Sequence, residues 1–120
     1  MQPYPLQSLL TVRHFREEAA KNEVRAAERR LAEAREEVRK REEELERYRA
    51  WRPEEENRRY DAILGEAMSL DDVAEFRASL GALAEGEQER EQAVAEAEKN
   101  VARKEQEVNT AREAVAAARK

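Results

Sequence analysis

The chain contains no cysteine, a single histidine, three glycines, three prolines and few aromatics, which make up 5% of its 120 residues. Each scarcity removes a class of protein. Without cysteine there is neither a disulfide frame nor a thiolate metal site, and a reducing cytosolic setting is allowed without being required. With His14 alone, no Cys/His ligand pair and no inward-facing Glu-x-x-His motif for a helical di-metal centre can be assembled. There is no glycine-rich phosphate loop. With so few aromatics and 42% charged residues, a large globular core is excluded. No apolar run is long enough to span a bilayer, and MQPYPLQSLLTV has no positive charge ahead of its short apolar stretch, so a soluble, unprocessed chain is expected.

Positive charge is also in deficit. The 23 Lys and Arg against 28 Asp and Glu leave a net charge of -5, whereas nucleic-acid binders present a basic face. The imbalance is local: residues 1–52 hold 13 basic and 11 acidic groups, residues 53–90 hold 4 and 11, and residues 91–120 hold 6 and 6. An acidic middle third suits a basic or amphipathic partner, or is a solvated acidic surface.

What the chain does contain is heptads. Pro5 suits a first helical turn, and from about Leu6 one seam runs through Leu10, Val24, Leu31, Val38 and Leu45, with Leu6, Ala20, Ala27, Ala34 and Tyr48 beside it. Glu17 and Arg41 interrupt that stripe. A second stripe follows Val73, Leu80, Val94, Val101, Val108 and Val115, broken by Glu87, with Phe76, Leu83, Arg90, Ala97, Lys104, Ala111 and Ala118 beside it. Ser69 and Asp72 have capping-box spacing at its start. The expected fold is all-α: a long antiparallel two-helix coiled-coil hairpin with a short helical or kinked tip, forming one domain over residues 1–120. Helix one is expected over about 6–50, the tip over 51–69 and helix two over about 70–120. Neutralising the two stray charges against each other pairs Arg41 with Glu87, and then Tyr48 with Leu80, Leu45 with Leu83, Leu31 with Ala97 and Ala27 with Val101, with the apex at residue 64. Gly81 and Gly86 each cost helix two about 1 kcal/mol relative to alanine and mark a bend or a close contact, or else are tolerated surface positions beside the seam.

Chemistry is sparse. The carboxylate runs Glu42–Glu44 and Glu54–Glu56 have the character of a solvated helix face, and Ser8, Ser69 and Ser79 that of helix-start or surface residues. No catalytic, cofactor-binding or metal-binding residue is assigned, and the chain is not expected to be an enzyme.

The middle stretch is the most distinctive. Tyr48 has the position of a core residue, Trp51 either closes the end of the seam or anchors a partner, and Pro53 followed by Glu54–Glu56 makes a sound helix start that would stop near Gly65. The pattern YRAWRPEEENRRYD, with Tyr48, Trp51, Arg52, Glu55, Glu56, Arg58 or Arg59, Tyr60 and Asp61, resembles the midpoint segment of the type III secretion stalk proteins of the YscO (SctO) family, relatives of flagellar FliJ. The start YPLQSLLTVRHFREEAA is also similar to that family. The resemblance implies a non-enzymatic cytoplasmic component of an injectisome, peripheral to the inner membrane. It would be a helical hairpin like the stalk of rotary ATPases, with its paired ends in the hexameric export ATPase and its tip toward the export gate. The implied partners are that ATPase, the cytoplasmic domain of the gate and substrate chaperones, with no nucleic acid, no membrane insertion, no cofactor and a monomer when free. The tip residues Trp51, Arg52, Glu55, Glu56, Arg59, Tyr60 and Asp61 would form the partner-binding surface. A generic coiled-coil spacer or dimerisation protein is the alternative that periodicity alone supports.

Overall fold

The computed structural model describes residues 5–119; Pro3 and Lys120 lie outside them. Two α-helices account for nearly all of the described chain: α1, Pro5–Ile63, and α2, Leu70–Ala118. They run antiparallel as a coiled-coil hairpin, as the paired stripes require. Among the described residues no helix is long and apolar enough to cross a membrane.

α1 is longer than its sequence suggests. It passes through Pro53 without interruption, so the boundary expected near residue 50 is absent, and the helical part of the tip continues α1 rather than forming a separate short helix. An interior proline normally costs about 3 kcal/mol by removing one backbone bond and crowding the carbonyl four residues back. Here Pro53 lies on the exposed side of the helix, where water can satisfy the freed carbonyl. α1 ends close to Gly65, as expected, because Gly65 adopts φ 80°, a left-handed conformation that ends helices at little cost for glycine. The Glu66 amide then donates to the Ile63 carbonyl at 3.2 Å.

α2 starts where Ser69 and Asp72 place it. The Asp72 amide donates to Ser69 Oγ at 3.1 Å and the Ser69 amide to Asp72 Oδ2 at 3.2 Å, so each side chain satisfies the other's free backbone donor. Ser69→Ala is expected to lower stability by about 1 kcal/mol in a urea melt. An unchanged midpoint would mean that packing alone sets the start of α2.

Packing divides into two units, residues up to 36 with those from 98 onward, and residues 37–97. In the first, Ala27, Leu31, Val108 and Ala111 form a buried cluster with Val24 and Val101 packed against it. Exposed ion pairs flank the cluster: Arg30 to Glu107 at 3.8 Å, Arg35 to Glu105 at 3.6 Å and Arg112 to Glu28 at 3.4 Å. Such pairs contribute roughly 0–1 kcal/mol each and do more to mark the alignment than to hold it. In the second unit Leu45 and Leu83 are buried, and Val73, Phe76 and Leu80 are half-buried along the same stripe.

These contacts correct the expected register. Ala27 and Leu31 are buried in one cluster with Val108 and Ala111, which lie beyond Val101 and Ala97 along α2. Tyr48 reaches the Leu83 carbonyl and Arg90, further along α2 than the expected Leu80. Arg41 bonds to Glu37 and Glu44 on its own helix, while Glu87 faces Arg49 and Arg52. The helices are displaced by about one heptad from the charge-neutralising alignment. The extension of α1 to Ile63 explains this, since the turn then spans Leu64 to Ser69 and its centre moves toward α2. A slide of seven residues keeps every seam position facing its partner helix. The stray charges find partners at the edge instead of in the seam. Leu6 and Leu10, expected in the seam, are exposed.

Candidate functional site

The distinctive segment lies on the last four turns of α1, and most of its side chains are tied to α2 or to each other. Tyr48 Oη donates to the Leu83 carbonyl at 2.6 Å. The Arg90 guanidinium sits 4.0 Å from the Tyr48 ring centroid, and Arg90 Nη1 also donates to the Gly86 carbonyl at 2.9 Å. Gly86 accounts for this arrangement: a Cβ there would strike the Tyr48 hydroxyl and lie 3.0 Å from its Cζ. Gly81 has nothing within 4 Å and is the tolerated glycine of the pair.

Arg52 and Glu87 form the next layer. Arg52 Nε donates to Glu56 Oε1 at 2.6 Å, and its Nη1 lies 3.4 Å from Glu87 Oε1. Arg49 completes a charged ladder, 2.8 Å from Glu91 and 3.9 Å from Glu87. The bond that Arg52 donates to Glu56 is the main cause raising the Arg52 pKa above its ordinary value; burial opposes it, and the carboxylate charges of Glu56 and Glu87 add to it. One turn on, Arg59 Nε donates to Glu55 Oε1 at 3.0 Å and its Nη1 to the Ser79 carbonyl at 3.0 Å. Tyr60 stacks edge-on to Phe76 with centroids 5.0 Å apart.

Glu55 takes bonds from Arg58 and Arg59, which hold its carboxyl below the usual glutamate range. Because the folded value is depressed, the stabilising contribution is present above the unfolded glutamate value and disappears as pH falls through the folded one. Glu55 should therefore be among the last glutamates to protonate in a carbon-detected NMR titration below pH 4.5, the ordinary value. Titration at or above that value would show that the arginine fork does not persist in solution.

The seven expected tip residues thus separate by role. Arg52, Glu55, Glu56 and Arg59 are half-buried and spend their polar groups inside the hairpin. Trp51 and Tyr60 present more surface, 40% and 49% exposed, and Asp61 is exposed and stands outside the ion-pair network. Trp51 leans on Tyr48 with ring centroids 5.4 Å apart and borders an open recess of about 470 Å³ lined also by Glu44, Arg47 and Arg90. Beyond them Leu64 and Leu70, 75% and 90% exposed, flank the turn beside Asp61, Glu66, Asp71 and Asp72. Sequence reasoning passed over these two leucines, whose signal was their position at either edge of the turn, off the seam. The exposed side of the tip thus sets Trp51, Tyr60, Leu64 and Leu70 among carboxylates.

Residues 6–120 match the family model described as type III secretion protein YscO. Among solved structures, that of CT670 from Chlamydia trachomatis, described as a YscO homologue, is similar in fold. Its TM-score is 0.72 at 24% identity, over 99% of this chain and 73% of that one. No curated protein matches the chain.

Proposed function

Since the chain belongs to the YscO family of type III secretion proteins, we propose that it is the non-enzymatic central stalk and adaptor of a secretion export apparatus. It couples the hexameric export ATPase to the cytoplasmic domain of the export gate and escorts substrate chaperones. On this reading it is a monomer when free and works on the cytoplasmic side, peripheral to the inner membrane. The observation that carries the proposal is the division of the family-like segment into a buried half and an exposed half. Arg52 and Arg59 lock α1 to α2, and the same helix holds Trp51, Tyr60 and Asp61 outward next to Leu64 and Leu70. A generic spacer would have no need for large apolar side chains on an acidic, rigidly backed tip.

The test is capture of the full chain by the export ATPase and by the gate's cytoplasmic domain. Trp51→Ala is expected to retain the helix content seen by circular dichroism while weakening capture by the gate domain about tenfold or more, as loss of an aromatic anchor does. Binding to neither partner ends the stalk reading. Loss of helix content in the variant would assign Trp51 to packing instead.

A further inference from the structure

Exposed large apolar side chains gather at both ends of α1, and the two groups sit among opposite charges. At the first end Leu6, Leu9, Leu10, Val12 and Phe15 are 48% to 73% exposed, and residues 5–16 contain Arg13, His14 and Arg16 with no Asp or Glu. The Arg13 guanidinium donates to the Arg119 carbonyl, which brings a further cation beside them from α2. At the other end Leu64 and Leu70 project from either edge of the turn, and residues 60–76 contain Asp61, Glu66, Asp71, Asp72 and Glu75 with no Lys or Arg. Among the described residues Arg16, Asp61, Glu66 and Asp71 are exposed and take part in no ion pair. Apolar side chains ringed by unspent charge of one sign mark a surface that meets the opposite sign.

We propose that these two surfaces bind each other between copies of the chain: the basic apolar end of one copy caps the acidic apolar turn of the next, head to tail. Charge selects this pairing from the three that two ends allow. Joining two first ends would set Arg13 and Arg16 against their own kind, and joining two turns would crowd carboxylates together. Both surfaces lie on α1 at its opposite ends, so one copy cannot make the contact with itself. The contact is heterologous and leaves one free end and one free turn on every pair, so it propagates instead of closing. Few side chains take part, against about 20–30 residues a side in a stable interface. The dilute protein therefore stays monomeric, and association begins at roughly 0.1–1 mM. A capped turn hides Leu64 and Leu70, so crowded copies withhold the tip from other partners.

Complementation between two variants of the full chain tests this. Phe15→Ser with Arg16→Glu spoils the first end and leaves the turn intact; Leu64→Ser with Leu70→Ser spoils the turn and leaves the first end intact. All four positions are exposed, so circular dichroism should show unchanged helix content, and if a pair of changes does lower it, Arg16→Glu and Leu64→Ser alone are used instead. In sedimentation velocity the unaltered chain at least doubles its average mass as its concentration rises to about 1 mM. Raising the salt from about 0.05 to 0.5 M weakens that association roughly tenfold. Each variant alone stays monomeric at about 1 mM, while their equimolar mixture forms pairs that grow no further, because each pair carries one spoiled end and one spoiled turn. An unaltered chain that stays monomeric throughout, a variant that associates as the unaltered chain does, or a mixture that stays monomeric overturns the proposal. Binding of the monomeric chain to phosphatidylglycerol vesicles, lost with Phe15→Ser and Arg16→Glu, would give the first end to a lipid surface instead.

Discussion

Leu31→Ala lowers the unfolding free energy by about 3 kcal/mol, the largest effect expected of a conservative truncation in this chain. The reason lies in its neighbours. Leu31 is 9% exposed and packs in a cluster whose other members are Ala27, Val108 and Ala111. Two alanines and a valine have no flexible side chain with which to fill the space, so the truncation leaves a cavity as well as losing the transfer free energy of the missing carbons. Total stabilities are of order 5–15 kcal/mol, and a loss of this size is read easily as a shifted midpoint in urea. Leu64→Ala is the control: at 75% exposed it should change stability by about 0.5 kcal/mol or less. A loss below about 1 kcal/mol for Leu31→Ala would mean that the helices close over the gap.

Gly86→Ala and Gly81→Ala should move stability in opposite directions, although both are glycine-to-alanine changes inside one helix. At Gly81 nothing lies within 4 Å of the added carbon, so the helix-propensity gain of about 1 kcal/mol appears in full. At Gly86 the same gain is opposed by displacement of Tyr48. That displacement costs its bond to the Leu83 carbonyl, about 1 kcal/mol, loosens the Arg90 contact over the ring, about 0.5–1 kcal/mol, and adds overpacking strain of about 1–3 kcal/mol. The net expectation is a loss of about 2 kcal/mol. Combining Gly86→Ala with Tyr48→Phe removes the hydroxyl that collides, so the double variant should be less destabilised than the sum of the two singles. Strict additivity, or a stabilising Gly86→Ala, would show that Tyr48 does not occupy the notch.

The notch also bears on how the tip works. Tyr48, Arg52 and Arg59 fasten α1 to α2 through contacts that only this alignment allows, and they give Trp51 a fixed platform. A partner that recognised Trp51 on a mobile helix would have to order it on binding; a braced side chain avoids that cost. The family-like pattern therefore combines residues that build the surface with residues that present it, and the sequence does not distinguish the two sorts.

Much of the fold was legible in one dimension because it depends on local chemistry. The heptad stripes predicted two helices and which faces they bury, down to Ala27, Leu31, Leu45, Leu83, Val108 and Ala111. Ser69 with Asp72 located the start of α2, and Gly65 the region where α1 stops. Three things only the tertiary structure decided. Pro53 continues a helix because it faces water, and which face a proline takes depends on the partner helix. The alignment settled one heptad away from the one that neutralised Arg41 with Glu87, since periodic stripes superpose again after every seven residues and surface ion pairs are too weak to choose among them. Gly86 became a notch only when that alignment brought Tyr48 over it. Periodicity determines which side of a helix is buried; where along its partner it rests is set by the sum of contacts at the turn and in the seam.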